Sequence, residues 1–73
     1  MESPSLIDVK FYSRDKEALH DVMAILISLG KSFSYYPRGL AVRMLIRSRD
    51  RLRGIENEVK GREIPVKITK KFL

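Results

Sequence analysis

A single two-layer α+β sandwich, with elements in the order strand, helix, strand, strand, helix, strand, is what this sequence predicts. Three observations predict it. Apolar and polar residues alternate in four separate runs, and two other runs carry apolar residues at three-four spacing. Chain length supplies the third: 73 residues without a cysteine must form one compact core with no disulfide to help, and two domains are excluded.

The first alternating run is Leu6 to Tyr12, with Ile7, Val9 and Phe11 on one face and Asp8, Lys10 and Tyr12 on the other. Residues 1–4 precede it and are expected to be disordered. Ser13 can cap a helix whose stripe is Ala18, Leu19, Val22, Met23, Ile25, Leu26 and Leu29, and Gly30 suits a left-handed C-terminal cap. Lys31 to Tyr36 reads as the second strand. Pro37-Arg38-Gly39 follows as a turn in which Pro presets φ and Gly permits a positive one. Leu40, Val42, Met44 and Ile46 then alternate with Ala41, Arg43, Leu45 and Arg47, which completes a hairpin. Ser48 can cap a second helix with the narrow stripe Leu52, Ile55 and Val59, stopped at Gly61. In the last run Ile64, Val66 and Ile68 alternate with Pro65, Lys67 and Thr69; Pro65 lacks an amide donor, so this strand starts at an edge or on its unpaired side.

An internal echo supports that order. Ser13-Arg14-Asp15-Lys16 recurs as Ser48-Arg49-Asp50-Arg51, each time after a strand and before a helix, and Gly30-Lys31 is echoed by Gly61-Arg62. Two strand-helix-strand units joined by a hairpin give a four-stranded antiparallel sheet with both helices on one face. This is the ferredoxin-like βαββαβ sandwich, a fold that by itself assigns no function.

Charge narrows the partner class. Fifteen Lys and Arg against nine Asp and Glu leave +6, and residues 38–73 hold eleven of the basic groups against four acidic ones. Such a field attracts polyanions. The high charged fraction, a single Asn and the lack of Gln and Cys also match the compositional bias of thermophile proteins. The longest apolar run, Val22 to Leu29, is too short to span a bilayer, and the first ten residues lack a basic segment followed by an apolar core. A cytoplasmic location without membrane attachment is expected.

Catalytic and metal-binding signatures are missing. There is no cysteine; His20 is the only histidine, on the polar flank of the first helix, and neither metal-protease, nucleophile-elbow nor phosphate-loop spacings occur. Asp8 can pair with a strand neighbour of Lys10. A non-enzymatic protein without a cofactor or metal is the expectation.

The period of two fixes the sheet face turned away from the helices: Asp8, Lys10, Tyr12, Ser34, Tyr36, Ala41, Arg43, Leu45, Arg47, Lys67, Thr69 and Lys71. Cations contact phosphates and rings stack bases, the combination that single-stranded nucleic acids require. Lys10, Arg43, Arg47, Lys67 and Lys71 are thus candidate phosphate ligands, and Tyr12 and Tyr36 candidate stacking platforms. Four arginines, Arg47, Arg49, Arg51 and Arg53, surround the start of the second helix, where the dipole disfavours cations. A phosphate near Ser48 to Arg51 would offset this, so Arg49 and Arg51 are expected to extend the path.

Two families invite comparison. The RNA-recognition motif has the same architecture, but its third-strand pattern is matched only at Arg38, Gly39 and Ala41 and broken at Leu40, Val42, Arg43 and Leu45. Membership is not supported. The segment from Ala18 to Gly30 resembles the helix of ACT-type regulatory domains, which pair side by side and bind small ligands at the interface. That resemblance implies a regulatory or protein-interaction role as the alternative to nucleic-acid binding. The glycine-containing ligand loop is replaced by Ser13-Arg14-Asp15. Homodimerisation is expected from Ile27 and Leu45, which lie off the core faces, and from the apolar end Phe72-Leu73.

Overall fold

A computed structural model describes residues 6–73, so the expected disorder of residues 1–4 lies outside the described residues. Strand β1 (Ile7–Tyr12), helix α1 (Lys16–Ser28), strands β2 (Ser34–Tyr36) and β3 (Ala41–Ile46), helix α2 (Arg49–Gly61) and strand β4 (Lys67–Phe72) follow in that order. The sheet runs β2-β3-β1-β4 with every neighbouring pair antiparallel. Each β-α-β unit skips one place, because β3 lies between β1 and β2 while β1 lies between β3 and β4. The two units interleave, which makes a ferredoxin-like α+β sandwich.

The core explains why β1 and β3 are central. Ile7, Val9 and Phe11 alternate onto the helix side of β1, and Val42, Met44 and Ile46 do the same on β3; all six are buried. Leu19, Val22, Ile25 and Leu26 meet them from α1, and Leu52, Ile55 and Val59 from α2. Burial of each large side chain contributes about 1.5–3 kcal/mol. No polar side chain is buried among the described residues. Leu29, expected in the α1 stripe, is instead exposed at the C-cap, one turn past the last position that faces the sheet.

Helix ends correct the sequence reading in detail. Asp15, not Ser13, caps α1, its Oδ1 accepting the Glu17 amide at 2.9 Å. The Ser13 hydroxyl has other work: it accepts the Asp15 amide at 3.1 Å and donates to the Pro65 carbonyl at 2.9 Å, tying the entrance of α1 to the approach of β4. Ser48 caps α2 as expected, through the Arg51 amide. Both helices close with paired bonds around a left-handed residue, from Gly30 and Lys31 back to Ile27 and Leu26, and from Glu63 and Ile64 back to Lys60 and Val59. Gly61 is therefore still helical, and Glu63, with φ of 55°, holds the position that Gly30 holds in α1. The true structural repeat is 33 residues, since 48 − 15 for the caps and 63 − 30 for the left-handed residues agree. The echo of Ser13 in Ser48 is out of phase with it.

The hairpin departs in two places. Lys31, Ser32 and Phe33 precede β2 rather than belonging to it, because the Lys31 amide bonds back to Leu26 in the α1 cap. In the turn it is Leu40, with φ of 52°, and not Gly39 that takes the left-handed conformation. Its carbonyl accepts the Ser13 amide at 3.2 Å, which holds the turn against the end of β1. Strand β4 begins at Lys67 rather than Ile64; Pro65 cannot donate, and the Val66 amide folds back to the Ile64 carbonyl at 2.9 Å.

Candidate nucleic-acid interface

Strand register sorts the exposed side of the sheet into rows that cross the strands. Tyr36 pairs with Ala41, Ala41 with Tyr12 and Tyr12 with Lys67, so these four residues form one row from β2 to β4. Two residues along, Ser34, Arg43, Lys10 and Thr69 form the second row. Leu45, Asp8 and Lys71 make the third, beyond the end of β2. In β1 and β3 alternation points them away from the helices, since their strand neighbours fill the core, and register carries the same sidedness to β2 and β4.

One ion pair organises this face. Arg43 donates from Nε to Asp8 Oδ1 at 2.8 Å and from Nη2 to Oδ2 at 3.1 Å, a two-pronged contact on the diagonal between rows. The Asp8 side chain is only 12% exposed, against 38% for Arg43. Arg43 holds the Asp8 carboxyl below the usual carboxylate range against the opposing effect of partial desolvation, with help from Lys10 and Lys71. The same contact, and a second with Tyr36, raises Arg43. Arg43 thus spends two of its five donors on Asp8, and its guanidinium also contacts Tyr36.

The candidate residues divide accordingly. Lys10, Tyr12, Tyr36, Arg43, Lys67 and Lys71 share the helix-free face, and Arg47 follows β3 at its margin, exposed. Lys10, Arg47, Lys67 and Lys71 make no salt bridge among the described residues. Arg49 and Arg51 lie elsewhere. The Arg49 guanidinium sits 5.0 Å from the centroid of the Phe72 ring, and Phe72 pairs with core residue Ile7, which puts both on the helix side. Arg51 lines a groove between the end of α1 and α2, with Leu29, Gly54 and Glu58. Each residue turns about 100° around the helix, which throws Arg51 to the side opposite Arg49 and Arg53, so the arginine cluster of the sequence splits in space.

Sequence reading placed Ala41 on this face but gave it no role, and it left out Arg38. Arg38, in the turn, and Ala41, at 7% exposure, line a shallow concavity of about 830 Å³ with Tyr12 and Tyr36. Turn length was the available signal, because four residues between Tyr36 and Ala41 bring those two face to face. No three His, Asp or Glu side chains converge among the described residues as a metal site would need. His20 meets the ring of Tyr35 edge-on, with centroids 6.0 Å apart. No helix among the described residues is long and apolar enough to cross a membrane.

Comparison with protein-family models, with curated proteins and with solved structures gave no match. The chemistry of the face is the ground on which function rests.

Proposed function

We propose that this protein is a small non-enzymatic nucleic-acid-binding module of the cytoplasm that takes RNA or other single strands on the open face of its sheet. The observation that carries the reading is the pairing of two exposed tyrosines, Tyr12 and Tyr36, with cations on the same face that make no salt bridge among the described residues. Rings and cations in adjacent rows match the alternation of bases and phosphates along a single strand. Arg43 acts as a strut that places Asp8 and the Tyr36 edge, and the phosphate contacts fall to Lys10, Lys67, Lys71 and Arg47. Four such contacts give a log-log salt slope of about −2.8 on single strands.

Fluorescence anisotropy with single-stranded RNA, single-stranded DNA and duplexes at several salt concentrations tests this. The triple variant Lys10→Ala, Lys67→Ala, Lys71→Ala is the control, chosen because it leaves the Asp8 pair intact. Wild-type protein should bind single strands most tightly, and the variant should lose most of the slope. Absence of binding at low salt, or equal binding by the variant, refutes the proposal.

A second reading, a dimerising domain of the ACT-like kind, is favoured by the apolar groups left outside the core. Ile27 is 66% exposed, and Leu29, Leu45, Phe72 and Leu73 are also exposed. Sedimentation equilibrium decides it: a constant 8.5 kDa species across concentration excludes self-association.

A further inference from the structure

We infer that Tyr12, Ala41 and Tyr36 form a slot that takes one unpaired nucleobase between the two tyrosine rings, a refinement that rests on the nucleic-acid reading above. The three residues are direct neighbours across β1, β3 and β2. Strands stand about 4.8 Å apart, so the two tyrosines leave the sheet about 9.6 Å from each other. A planar ring held at van der Waals distance from two others needs about 7 Å between them. The remainder is within what ring tilt and sheet twist take up. Any side chain larger than Ala41 on the strand between would fill this space, and Ala41 lines the concavity together with Tyr12 and Tyr36, which makes it the floor. The two tyrosines do not close on each other, for the one aromatic pair among the described residues is His20 with Tyr35.

Charge around the slot fits the rest of a nucleotide. One end opens on the row of Lys10 and Arg43, the other on the turn that carries Arg38, and Lys67 flanks Tyr12. A base in the slot therefore has cations on both sides along the strand direction, where the phosphates that precede and follow it would run. A duplex cannot enter, because its bases are not free to part from their stack.

The test uses a short thymidine strand with one central 2-aminopurine, whose emission falls when it stacks, at low salt. Inorganic polyphosphate, which has the charge and no base, is the companion probe. Wild-type protein should quench the strand and bind both polyanions. Ala41→Ile, which fills the slot with a residue well suited to strands, should abolish the quench and weaken the strand by about tenfold. Its affinity for polyphosphate and its salt slope should stay unchanged. Tyr12→Leu and Tyr36→Leu should each weaken the strand, and the double variant should lose clearly less than the product of the two, because both act on one base. If Ala41→Ile quenches and binds as wild type does, or if the two tyrosine penalties multiply, the slot is refuted while charge-driven binding stands. If wild type binds neither probe, the slot and the nucleic-acid reading fall together.

Discussion

Replacing Asp8 with Asn should weaken the fold and strengthen nucleic-acid binding, and these opposite signs separate the roles of the face. In the wild type the carboxylate takes two donors of Arg43 at 2.8 and 3.1 Å and lies under it. Loss of the negative charge leaves Arg43 without its ionic partner, so thermal stability at neutral pH should fall. The pH dependence follows from the same pair. The Asp8 pKa is lower in the folded state than the ordinary 3.8, so its contribution is present above that value and is lost as pH falls through the folded one. Asp8→Asn should therefore flatten the acid limb below about pH 4. Binding moves the other way. Unpaired cations on the face rise from four to five, and each phosphate contact adds about −0.7 to the single-strand slope, taking it from about −2.8 to about −3.5. The advantage of the variant should shrink by about 2.6-fold between 50 and 200 mM salt. Anisotropy titrations in parallel with thermal melts measure both. A variant that binds more weakly than wild type, with an unchanged slope, would show that Arg43 and Asp8 act as a pre-formed ligand site and would refute this account.

Four other substitutions test the framework. Glu63→Gly should stabilise by about 0.5 kcal/mol in urea unfolding, as relief of the left-handed strain exceeds the added chain entropy, and Gly30→Ala should destabilise by about 1 kcal/mol. Phe11→Ala removes the largest fully buried side chain and should cost about 3–5 kcal/mol, read as loss of a cooperative transition at moderate temperature. Arg49→Ala should cost about 0.5–1 kcal/mol through its lost stacking on Phe72 and leave single-strand affinity within twofold; a large loss of affinity would return the arginine cluster to the binding path.

The physical reason why element order was legible is that period-two and period-three-four patterns report burial directly, and burial is what fixes β1, α1, β3 and α2. Conformations set by single hydrogen bonds were not. Ser13 and Asp15 are both good capping residues by type; the choice between them turns on the Pro65 carbonyl, 52 residues away, which takes the serine hydroxyl. Gly39 and Gly61 have the composition of left-handed positions, yet Leu40 and Glu63 occupy them, because the register of the hairpin and of the α2 cap places the reversal one and two residues later. The same limit applies to the site. Alternation put Lys10, Tyr12, Tyr36, Arg43, Lys67 and Lys71 on one face, but it is silent on which are adjacent across strands. Only register joins Tyr12 to Tyr36 through Ala41 and gives Arg43 to Asp8.

Register also bears on how copies of this chain could meet. The two edges of the sheet are β2 and β4. Strand β2 has three residues, too few to template a partner strand, and β4 carries Lys67, Lys70 and Lys71 in its six. Lysines on an edge oppose strand addition, since a second copy would bring the same charges alongside. Lys70 is the exception that shows the design, for it turns to the helix side and pairs with Glu56 at 3.2 Å, leaving Lys67 and Lys71 to face the open side. Self-association through the helical layer would use Ile27 and Leu29, exposed at the end of α1, whereas Leu45 is the exposed apolar group of the open sheet face. The helical layer is on the opposite side from the tyrosine row, so a dimer formed there leaves both open sheet faces outward. For a dimer through the helical layer, Ile27→Glu should abolish the concentration dependence in sedimentation equilibrium and leave the anisotropy of single strands unchanged. If it instead reduces strand affinity, the two copies bind one strand together, and the faces act through avidity rather than alone.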